Sequence, residues 1–271
     1  MPELPEVETT RRGIEPHVVG KSVARVIVRH AHLRWRVPDK LKKELPGQVI
    51  QSASRRGKYL LLATHAGTVI LHLGMSGSLR VTSCDQPADK HDHVDIVLDN
   101  GDCLRLRDPR RFGAVLWTHD DPLAHKLLKN LGPEPLGPDF NGPYLFRTAR
   151  RRKRAVRDFL LDGHVVAGVG NIYANESLFL AGIRPSRAAS RLTQAQCETL
   201  ARTIRQTLHR AIKAGGTTLR DFRQASGQPG YFQLSLHVYG RAGEPCPTCG
   251  TPIRAKRQGQ RTAFFCPKCQ L

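Results

Sequence analysis

The sequence is poor in acidic residues and lacks long apolar stretches. Of its 271 residues, 23 are Asp or Glu and 43 are Lys or Arg, which gives a formal net charge of +20. No stretch reaches the roughly 18 apolar residues of a membrane-spanning helix. The N-terminal region carries acids in place of the apolar core of a signal peptide. The sequence therefore predicts a cytoplasmic protein without membrane association.

Cysteine is present, but not in the pattern of a disulfide framework. Four of the seven cysteines form the pattern Cys246-x2-Cys249-x16-Cys266-x2-Cys269, and the other three are scattered. Two CxxC pairs at this separation present four thiolates to one tetrahedral Zn²⁺. Four sulfur ligands leave no open coordination position, so we predict one structural zinc ion and no catalytic metal.

The excess of positive charge predicts a polyanionic partner, and nucleic acid fits it best. A basic protein without such a partner is the alternative; an anionic membrane surface is disfavoured because no Lys-rich amphipathic helix is evident. The run 147–157 holds seven Lys or Arg in eleven residues, Lys153 and Arg157 among them. Such a run is ordinarily a solvated surface. The same two interpretations apply to Arg261, between the cysteine pairs.

Short β-prone runs fill the sequence from about residue 21 to residue 118. They cover residues 25–29, 49–53, 59–63, 68–73, 94–98 and 103–106. Turn residues such as Gly57, Gly67 and the Asp99-Asn-Gly-Asp102 segment separate them. Closely spaced strands without intervening helices favour an antiparallel sandwich or barrel. A short helix is predicted before them, over residues 4–14.

The second half of the chain has a helical pattern. Residues 131–143, with four prolines and three glycines, mark the main domain boundary. The clearest helix is predicted over residues 193–214, where Thr193 and Gln196 form a capping box. The turn Gly168-Val-Gly-Asn171 precedes another helix, and its backbone N–H groups and the Asn171 amide suit a phosphate contact.

The N-terminus offers a nucleophile. Pro2 follows Met1, and a small second residue permits removal of the initiator methionine. An α-amino group titrates near about 7.7–8.0, well below lysine, so more of it is uncharged at neutral pH. A secondary amine attacking a sugar C1′ forms an iminium, with Glu3 beside it as general acid. The alternative is that Pro2 only starts a helix and Glu3 complements its dipole.

Three loops hold further candidates. Lys58 lies at a predicted hairpin tip, and glycines around Met75 indicate a sharp loop after His72. Arg110 and Phe112 lie in the turn 108–113. Exposed Met, Arg and Phe side chains beside a basic surface suit insertion into a base stack. The alternative for Met75 and Phe112 is the hydrophobic core.

Six motifs occur in order along the chain. They are Pro2-Glu-Leu-Pro-Glu-Val-Glu8, Arg56-Gly-Lys58-Tyr59, His72-Leu-Gly-Met75, Asp108-Pro-Arg-Arg-Phe112-Gly, Gly168-Val-Gly-Asn171-Ile-Tyr-Ala174 and the four-cysteine finger. Together they resemble the formamidopyrimidine-DNA glycosylases, the bacterial 8-oxoguanine DNA glycosylase family. The resemblance implies an α+β fold of two domains: an N-terminal antiparallel β-sandwich and a helix–two-turn–helix domain with a zinc finger. The implied boundaries are 2–132, 133–234 and 235–271.

The resemblance also implies an activity. A bifunctional DNA glycosylase/AP lyase would excise oxidised purines, 8-oxoguanine and formamidopyrimidines, from duplex DNA in base excision repair. It would act as a monomer, without an organic cofactor, through a Pro2 iminium and β,δ-elimination. Glu3 would open the sugar, Glu6 would support it, and Lys58 would act near the lesion. The implied DNA contacts are His72, Met75, Arg110, Phe112, Lys153, Arg157, Asn171 and Arg261.

Two features qualify this interpretation. Arg157 stands where the family is expected to prefer lysine, and residues 216–231 resemble the loop that covers 8-oxoguanine. An endonuclease VIII-like enzyme, which shares the proline nucleophile but prefers oxidised pyrimidines, is the nearest alternative. The Pro-Glu-Leu-Pro-Glu start and the 216–231 segment favour the purine enzyme. A non-enzymatic DNA-binding protein is the other alternative, but binding alone does not call for a Pro-Glu terminus.

Overall fold

A computed structural model describes residues 2–215 and 236–271. The chain forms two compact units, one reaching to Asn130 and one that holds Leu131–Ala214 together with the described residues from 236 onward. Each unit has its own hydrophobic core. The three sequence-derived domain boundaries stay predictions, and the predicted lesion-covering segment 216–231 lies outside the described residues.

The first unit is a β-sandwich preceded by helix α1 (Leu4–Val18). Its strands are β1 (Val23–Val28), β2 (Ser52–Arg56), β3 (Tyr59–Ala63), β4 (Thr68–His72), β5 (Ser78–Ser83), β6 (Asp92–Leu98), β7 (Asp102–Arg107) and β8 (Ala114–Thr118). They form two four-stranded antiparallel sheets, with orders β1-β6-β7-β5 and β2-β3-β4-β8. Side chains such as Ile96 and Leu62, from different sheets, share one buried core with α1. The predicted antiparallel sandwich is confirmed.

The strand predictions are wrong at the sheet edges. β2 begins three residues later than predicted, because Ile50 is buried ahead of the strand while the strand itself continues through the polar Arg55 and Arg56. The edge strands β5 and β8 were not among the predicted runs, and neither was the helix α2 (Asp39–Glu44). Only Leu41 of α2 is buried, so its sequence lacks a helical apolar stripe.

The sheet β1-β6-β7-β5 contains a buried charge cluster. Arg105 on β7 is fully buried and donates to both carboxylate oxygens of Asp95 on β6, at 3.0 and 2.9 Å. Its remaining nitrogen donates to the carbonyl of Gln86 at 2.9 Å. A buried ion pair is costly to break because the remaining partner keeps an uncompensated charge. Arg105 therefore fixes both the β6–β7 pair and the segment after β5.

The second unit begins with four helices: α3 (Gly142–Ala149), α4 (Val156–Leu160), α5 (Asn171–Leu180) and α6 (Gln194–Lys213). The predicted capping box is present at the start of α6, where the Gln196 N–H donates to Thr193 Oγ1 and the Thr193 N–H donates to the Gln196 side chain. A hairpin of β9 (Arg254–Gln258) and β10 (Arg261–Phe265) lies between the two cysteine pairs. Across residues 2–215 and 236–271, the helices lack either the length or the apolar character needed to span a membrane.

The buried ion pair gives a stability prediction. Arg105→Met is expected to lower the free energy of unfolding by about 1–3 kcal/mol, because it removes the donor to the buried Asp95 Oδ1 and leaves Arg29, at 2.6 Å, as the remaining ion-pair partner of Asp95. Arg36→Met is the control: Arg36 and its partner Asp39 are both exposed, so a loss below about 1 kcal/mol is expected. Trp35 and Trp117 are the only tryptophans and both lie in the first unit, so their fluorescence in urea reports its unfolding. Equal losses in the two variants would contradict the argument.

Candidate active site and nucleic-acid interface

The start of α1 holds the predicted catalytic residues in buried positions. Pro2 is buried, and Glu3 and Glu6 are only 2% and 3% exposed. The backbone of Glu3 is extended at the helix N-cap, and its N–H donates to the Glu6 carboxylate at 2.8 Å. This bond closes a capping box, which fixes the path of the chain just before the helix. The residue expected to carry the nucleophile is thus held by its neighbours.

A second contact connects α1 to the Lys58 turn. Arg55 donates to the Glu8 carboxylate at 3.2 Å and to the Gly57 carbonyl at 2.8 Å. Gly57 and Lys58 form the two-residue turn between β2 and β3, as the sequence predicts, and Gly57 adopts a positive φ of 57°. Arg55 therefore ties the helix that starts at Leu4 to the turn that carries Lys58.

Glu8 is the acidic centre of this connection. Burial raises the pKa of Glu8, but hydrogen bonds from Arg11 and Arg12 and the charges of Arg11 and Arg55 outweigh burial, so the pKa is lowered. The carboxylate is therefore ionised at neutral pH. Its ion pairs with Arg11, Arg12 and Arg55 span 3.1, 2.8 and 3.2 Å. A carboxylate shared by several guanidinium groups is a rigid anchor for the helix.

His72 lies opposite Tyr59, the residue after Lys58, on the neighbouring strand. The two rings are 4.7 Å apart, and the Gly74 N–H donates to His72 Nδ1 at 3.0 Å. Burial, together with the positive charges of Lys58 and Arg34, lowers the pKa of His72 to about 4. His72 is therefore neutral at neutral pH, and it lies within the electrostatic reach of Lys58. The structure thus brings together two of the predicted site residues.

The predicted insertion loops expose their large side chains. Met75, between β4 and β5, is 40% exposed, and Phe112, between β7 and β8, is 44% exposed. The alternative that these residues belong to the core is wrong. Arg110 is exposed as well, and its guanidinium lies 5.0 Å from the centre of the Phe112 ring. Both loops therefore present a large apolar side chain to solvent, as insertion into a base stack would require.

The two loops are locked together by backbone contacts. Asp108 is fully buried, and its carboxylate accepts from the Gly113 N–H at 2.7 Å and from Ser76 Oγ at 3.4 Å. At Gly74, which has a φ of +64°, a Cβ atom would lie 2.5 Å from Gly113 N and from the Phe112 carbonyl carbon. This close approach requires glycine, and it fixes the loop of Met75 against the loop of Phe112.

A cavity beside these loops was not predicted from the sequence. It has a volume of about 590 Å³, and six of its ten lining residues are basic or histidine. Those six are Arg29, His30, Lys90, His91, His93 and Arg111. Arg111 adopts a left-handed φ of 58° and lies 2.6 Å from His30 Nε2. The signal that was missed is the spacing His91-x-His93 at the start of β6, where two residues that are two positions apart lie on the same face of an extended segment.

In the second unit, Asn171 starts α5 after a turn in which Gly168 has a φ of +81°. Its amide Nδ2 donates to the Thr262 carbonyl on β10 at 3.0 Å. Asn175, one turn later, accepts from the Phe264 N–H at 2.8 Å. The glycine turn and the finger hairpin are therefore joined by side-chain amides. This arrangement places the Asn171 amide beside the hairpin that carries Arg261.

The basic run 147–157 divides into exposed and buried parts. Lys153 is exposed, as a DNA contact requires, and so is Arg261 on β10. Arg157, by contrast, is 1% exposed and donates to the carbonyls of Gln258 and Arg261. A direct DNA contact by Arg157, as the resemblance implies, would require the guanidinium to leave these partners. Lys153 and Arg261 stay predictions as DNA contacts.

The four predicted metal ligands converge. The sulfur atoms of Cys246, Cys249, Cys266 and Cys269 all lie within 4.8 Å of one another. Two of the Sγ–Sγ distances are 3.9 and 3.5 Å. Tetrahedral Zn–S bonds of about 2.3 Å separate sulfur atoms by about 3.8 Å, so the cluster fits a zinc ion. The Thr248 and Cys269 N–H groups donate to Cys246 Sγ and Cys266 Sγ, both at 3.4 Å.

The lowered pKa of His72 predicts a pH dependence. A histidine with a folded pKa of about 4 and an unfolded value of 6.5 takes up a proton on unfolding between those values. The first unit should therefore lose stability as the pH falls from 6.5 to 4. In His72→Gln the slope of the unfolding free energy against pH should decrease by the equivalent of up to one proton. His65→Gln, at an exposed position, should leave that slope unchanged. Urea titrations at several pH values, followed by tryptophan fluorescence, measure the slopes; identical slopes would contradict the prediction.

The close approach at Gly74 gives a second prediction. Gly74→Ala is expected to cost about 3 kcal/mol or more, since the left-handed backbone penalty adds to a backbone clash. Gly101→Ala is the matched control: Gly101 also has a positive φ, but a Cβ there has nothing within 4 Å. It should cost about 1 kcal/mol, the strain alone. The same unfolding measurement compares them, and equal costs would show that the loops are not locked at Gly74.

Comparison with known proteins identifies the family. Residues 1–115, 131–223 and 243–271 match the models of the formamidopyrimidine-DNA glycosylase N-terminal domain, its H2TH domain and the zinc finger found in FPG and IleRS. The formamidopyrimidine-DNA glycosylase of Nitrosococcus oceani is 58% identical over 270 residues and is covered completely, as is this chain.

Solved structures of Lactococcus lactis Fpg are 37% identical to this chain, cover 99% of both chains and give TM-scores of 0.91 and 0.92. These complexes contain DNA with an abasic site, with N7-benzyl-Fapy-dG or with an oxidised pyrimidine. The predicted family, the two-domain α+β fold and the finger are confirmed. The chain belongs to the formamidopyrimidine-DNA glycosylase family and is a DNA repair glycosylase.

Proposed function

We propose that this glycosylase is bifunctional: it excises oxidised purines, 8-oxoguanine and formamidopyrimidines, from duplex DNA and then cleaves the strand as an AP lyase. The observation that carries the proposal is the start of α1, where Pro2 precedes two buried carboxylates held by a capping box. The Lactococcus lactis relative has been solved with DNA that contains N7-benzyl-Fapy-dG and with abasic-site DNA, which correspond to a damaged purine and to the product of its removal.

The chemistry follows from a secondary amine at the chain start. Once Met1 is removed, the Pro2 nitrogen forms a bond to C1′ as the bond from C1′ to the base breaks. The nitrogen then loses its proton, which neutralises the departing base anion, and Glu3 protonates the ring oxygen O4′ as the sugar opens, which leaves an iminium between Pro2 and C1′. The iminium acidifies C2′, so loss of that proton expels the 3′ phosphate, and loss of the C4′ proton then expels the 5′ phosphate. Water hydrolyses the remaining conjugated iminium, which releases the sugar as an unsaturated aldehyde and restores the Pro2 amine.

Supporting roles follow from position. Lys58 acts near the lesion, from the turn that Arg55 connects to α1. Glu6 holds the chain at Glu3 through the N–H of that residue. His72 is neutral at neutral pH, so it places an uncharged side chain beside Lys58. All of these residues lie in the first unit, so we assign the reaction to that unit.

DNA contacts come from both units. Met75 and Phe112 fill the space of an extruded nucleotide, because inserted apolar side chains partly offset the few kcal/mol lost on unstacking. Arg110, stacked on Phe112, reads the opposite base. Asn171, Lys153 and Arg261 bind backbone phosphates. The net charge of +20 then supplies salt-dependent affinity for the duplex.

One structural zinc ion completes the protein in this proposal. The four thiolates hold the finger and leave no coordination position for substrate. The proposed reaction uses no catalytic metal and no organic cofactor. We expect the enzyme to work as a monomer in the cytoplasm.

The proposal predicts a covalent adduct at residue 2. Borohydride added during reaction with DNA that holds 8-oxoguanine opposite cytosine should reduce the iminium and trap the protein on DNA. Peptide mapping should place the adduct on a Pro2 that has lost Met1, and Pro2→Gly should lose this adduct. His17→Gln, at an exposed position near the end of α1, should trap as well as the native protein. An adduct on an internal lysine would contradict the proposal.

The second candidate function is removal of oxidised pyrimidines. It is favoured by the complex of the Lactococcus lactis relative with oxidised-pyrimidine DNA. The same trapping reaction on duplexes with 8-oxoguanine or with thymine glycol compares the two. Faster trapping on 8-oxoguanine supports the purine enzyme, and faster trapping on thymine glycol replaces it by the alternative.

A further inference from the structure

Arg157 is buried within a run of exposed basic residues. Arg150, Arg151, Arg152 and Lys153 are exposed, but Arg157 is 1% exposed. A charged side chain this deep is retained only where its hydrogen-bonding groups are satisfied. Its surroundings therefore show what it does.

Every N–H of the Arg157 guanidinium has an acceptor. Nε and Nη2 donate to Asp158 Oδ1 at 3.1 and 2.7 Å. Nη2 also donates to the Gln258 carbonyl at 2.6 Å. Nη1 donates to the Arg261 carbonyl at 3.3 Å and makes a longer contact of 3.5 Å with Asn171 Oδ1. The five donors of an arginine are thus distributed over four residues of the protein.

The two carbonyls flank the turn of the finger hairpin. Gln258 ends β9 and Arg261 begins β10, and these two residues are directly paired. The side chain of Gln258 donates to Asp158 Oδ2 at 2.9 Å, so the neighbour of Arg157 holds the same turn from its other side. The backbone of residues 258–261 is therefore bound to α4, while the Arg261 side chain stays exposed.

We propose that Arg157 is a positioning residue for the finger: its forked guanidinium holds the turn 258–261 beside the Asn171 amide and so fixes where Arg261 meets DNA. The inference rests on the phosphate contact proposed for Arg261. Lysine places three donors on one nitrogen and does not reproduce the planar fork that reaches two carbonyls and a carboxylate together.

Hydrogen exchange tests whether Arg157 holds the turn. In the zinc-loaded full-length protein, the Gln258 and Arg261 amides should exchange about tenfold faster in Arg157→Met, and by a smaller factor in Arg157→Lys, since local opening governs the rate. Arg205→Lys is the matched control, because Arg205 also donates to backbone carbonyls, those of Pro135, Gly137 and Phe140, away from the finger. Exchange unchanged by Arg157→Lys and Arg157→Met would overturn the inference. Zinc content checks folding, and Arg157→Lys replaces Arg157→Met if the latter loses the metal.

A double-mutant cycle tests whether the clamp acts through Arg261. The probe is a duplex with a tetrahydrofuran abasic analogue, bound over a range of KCl concentrations. Arg261→Ala should weaken binding and reduce the salt slope by about one if it loses one phosphate. Arg157→Met should weaken binding by a similar factor and should add nothing in the Arg261→Ala background. Additive losses would overturn the inference, because Arg157 would then bind DNA independently. If Arg261→Ala has no effect, the proposed role of Arg261 fails, and hydrogen exchange alone decides whether Arg157 holds the turn.

Discussion

A catalytic α-amino group has only one position in a polypeptide, so the chain start must be fixed as firmly as any core residue. Here helix α1 does this work: Leu4, Val7 and Ile14 are buried, and Glu8 pairs with Arg55, which in turn binds the Gly57 carbonyl. The ionised Glu8 is the junction of this arrangement. Because one carboxylate anchors both the helix and the Lys58 turn, the separation between the proposed nucleophile and Lys58 depends on a contact that neither residue makes itself.

In the second unit, neutral side-chain amides position the hairpin of the zinc finger. A zinc finger has a small core, and its hairpin would be poorly placed by the metal alone. Asn171 binds the Thr262 carbonyl, and Asn175 binds the Phe264 N–H, so the first turn of α5 continues the hydrogen bonding of β10. The residues expected to bind phosphate are thus supported from the same helix start. The cysteines and the helix contribute separately: the four thiols of the two cysteine knuckles converge on one point that fits a zinc ion, while α5 orients the hairpin.

Sequence patterns were sufficient where a residue type has a single physical use. Paired cysteines, the Thr193 capping box and the Asp99–Asp102 turn were placed correctly for this reason. They were insufficient where the outcome depends on tertiary partners. The strand β5 is half-polar and, among the strands of the described residues, pairs with β7 alone, so neither alternation nor an apolar run identifies it. The histidine-lined cavity likewise brings together residues some sixty positions apart in the sequence, and a pattern within a short sequence window cannot detect such a combination.

The arginines show most clearly that sequence alone does not predict which tertiary partners a residue will have. Judged from composition alone, every arginine is a potential phosphate contact. In the structure, however, Arg105 donates its hydrogen bonds to Asp95 and Gln86, and Arg157 donates to the backbone of the finger turn. Arg110 and Arg261, which share the same residue type, are exposed. What separates the two classes is the availability of buried carboxylates and backbone carbonyls within reach of a planar fork. The positive charge of this protein is therefore divided between exposed arginines, which are available to a polyanionic partner, and buried arginines, which hold the fold, and only the three-dimensional structure assigns each arginine to its class.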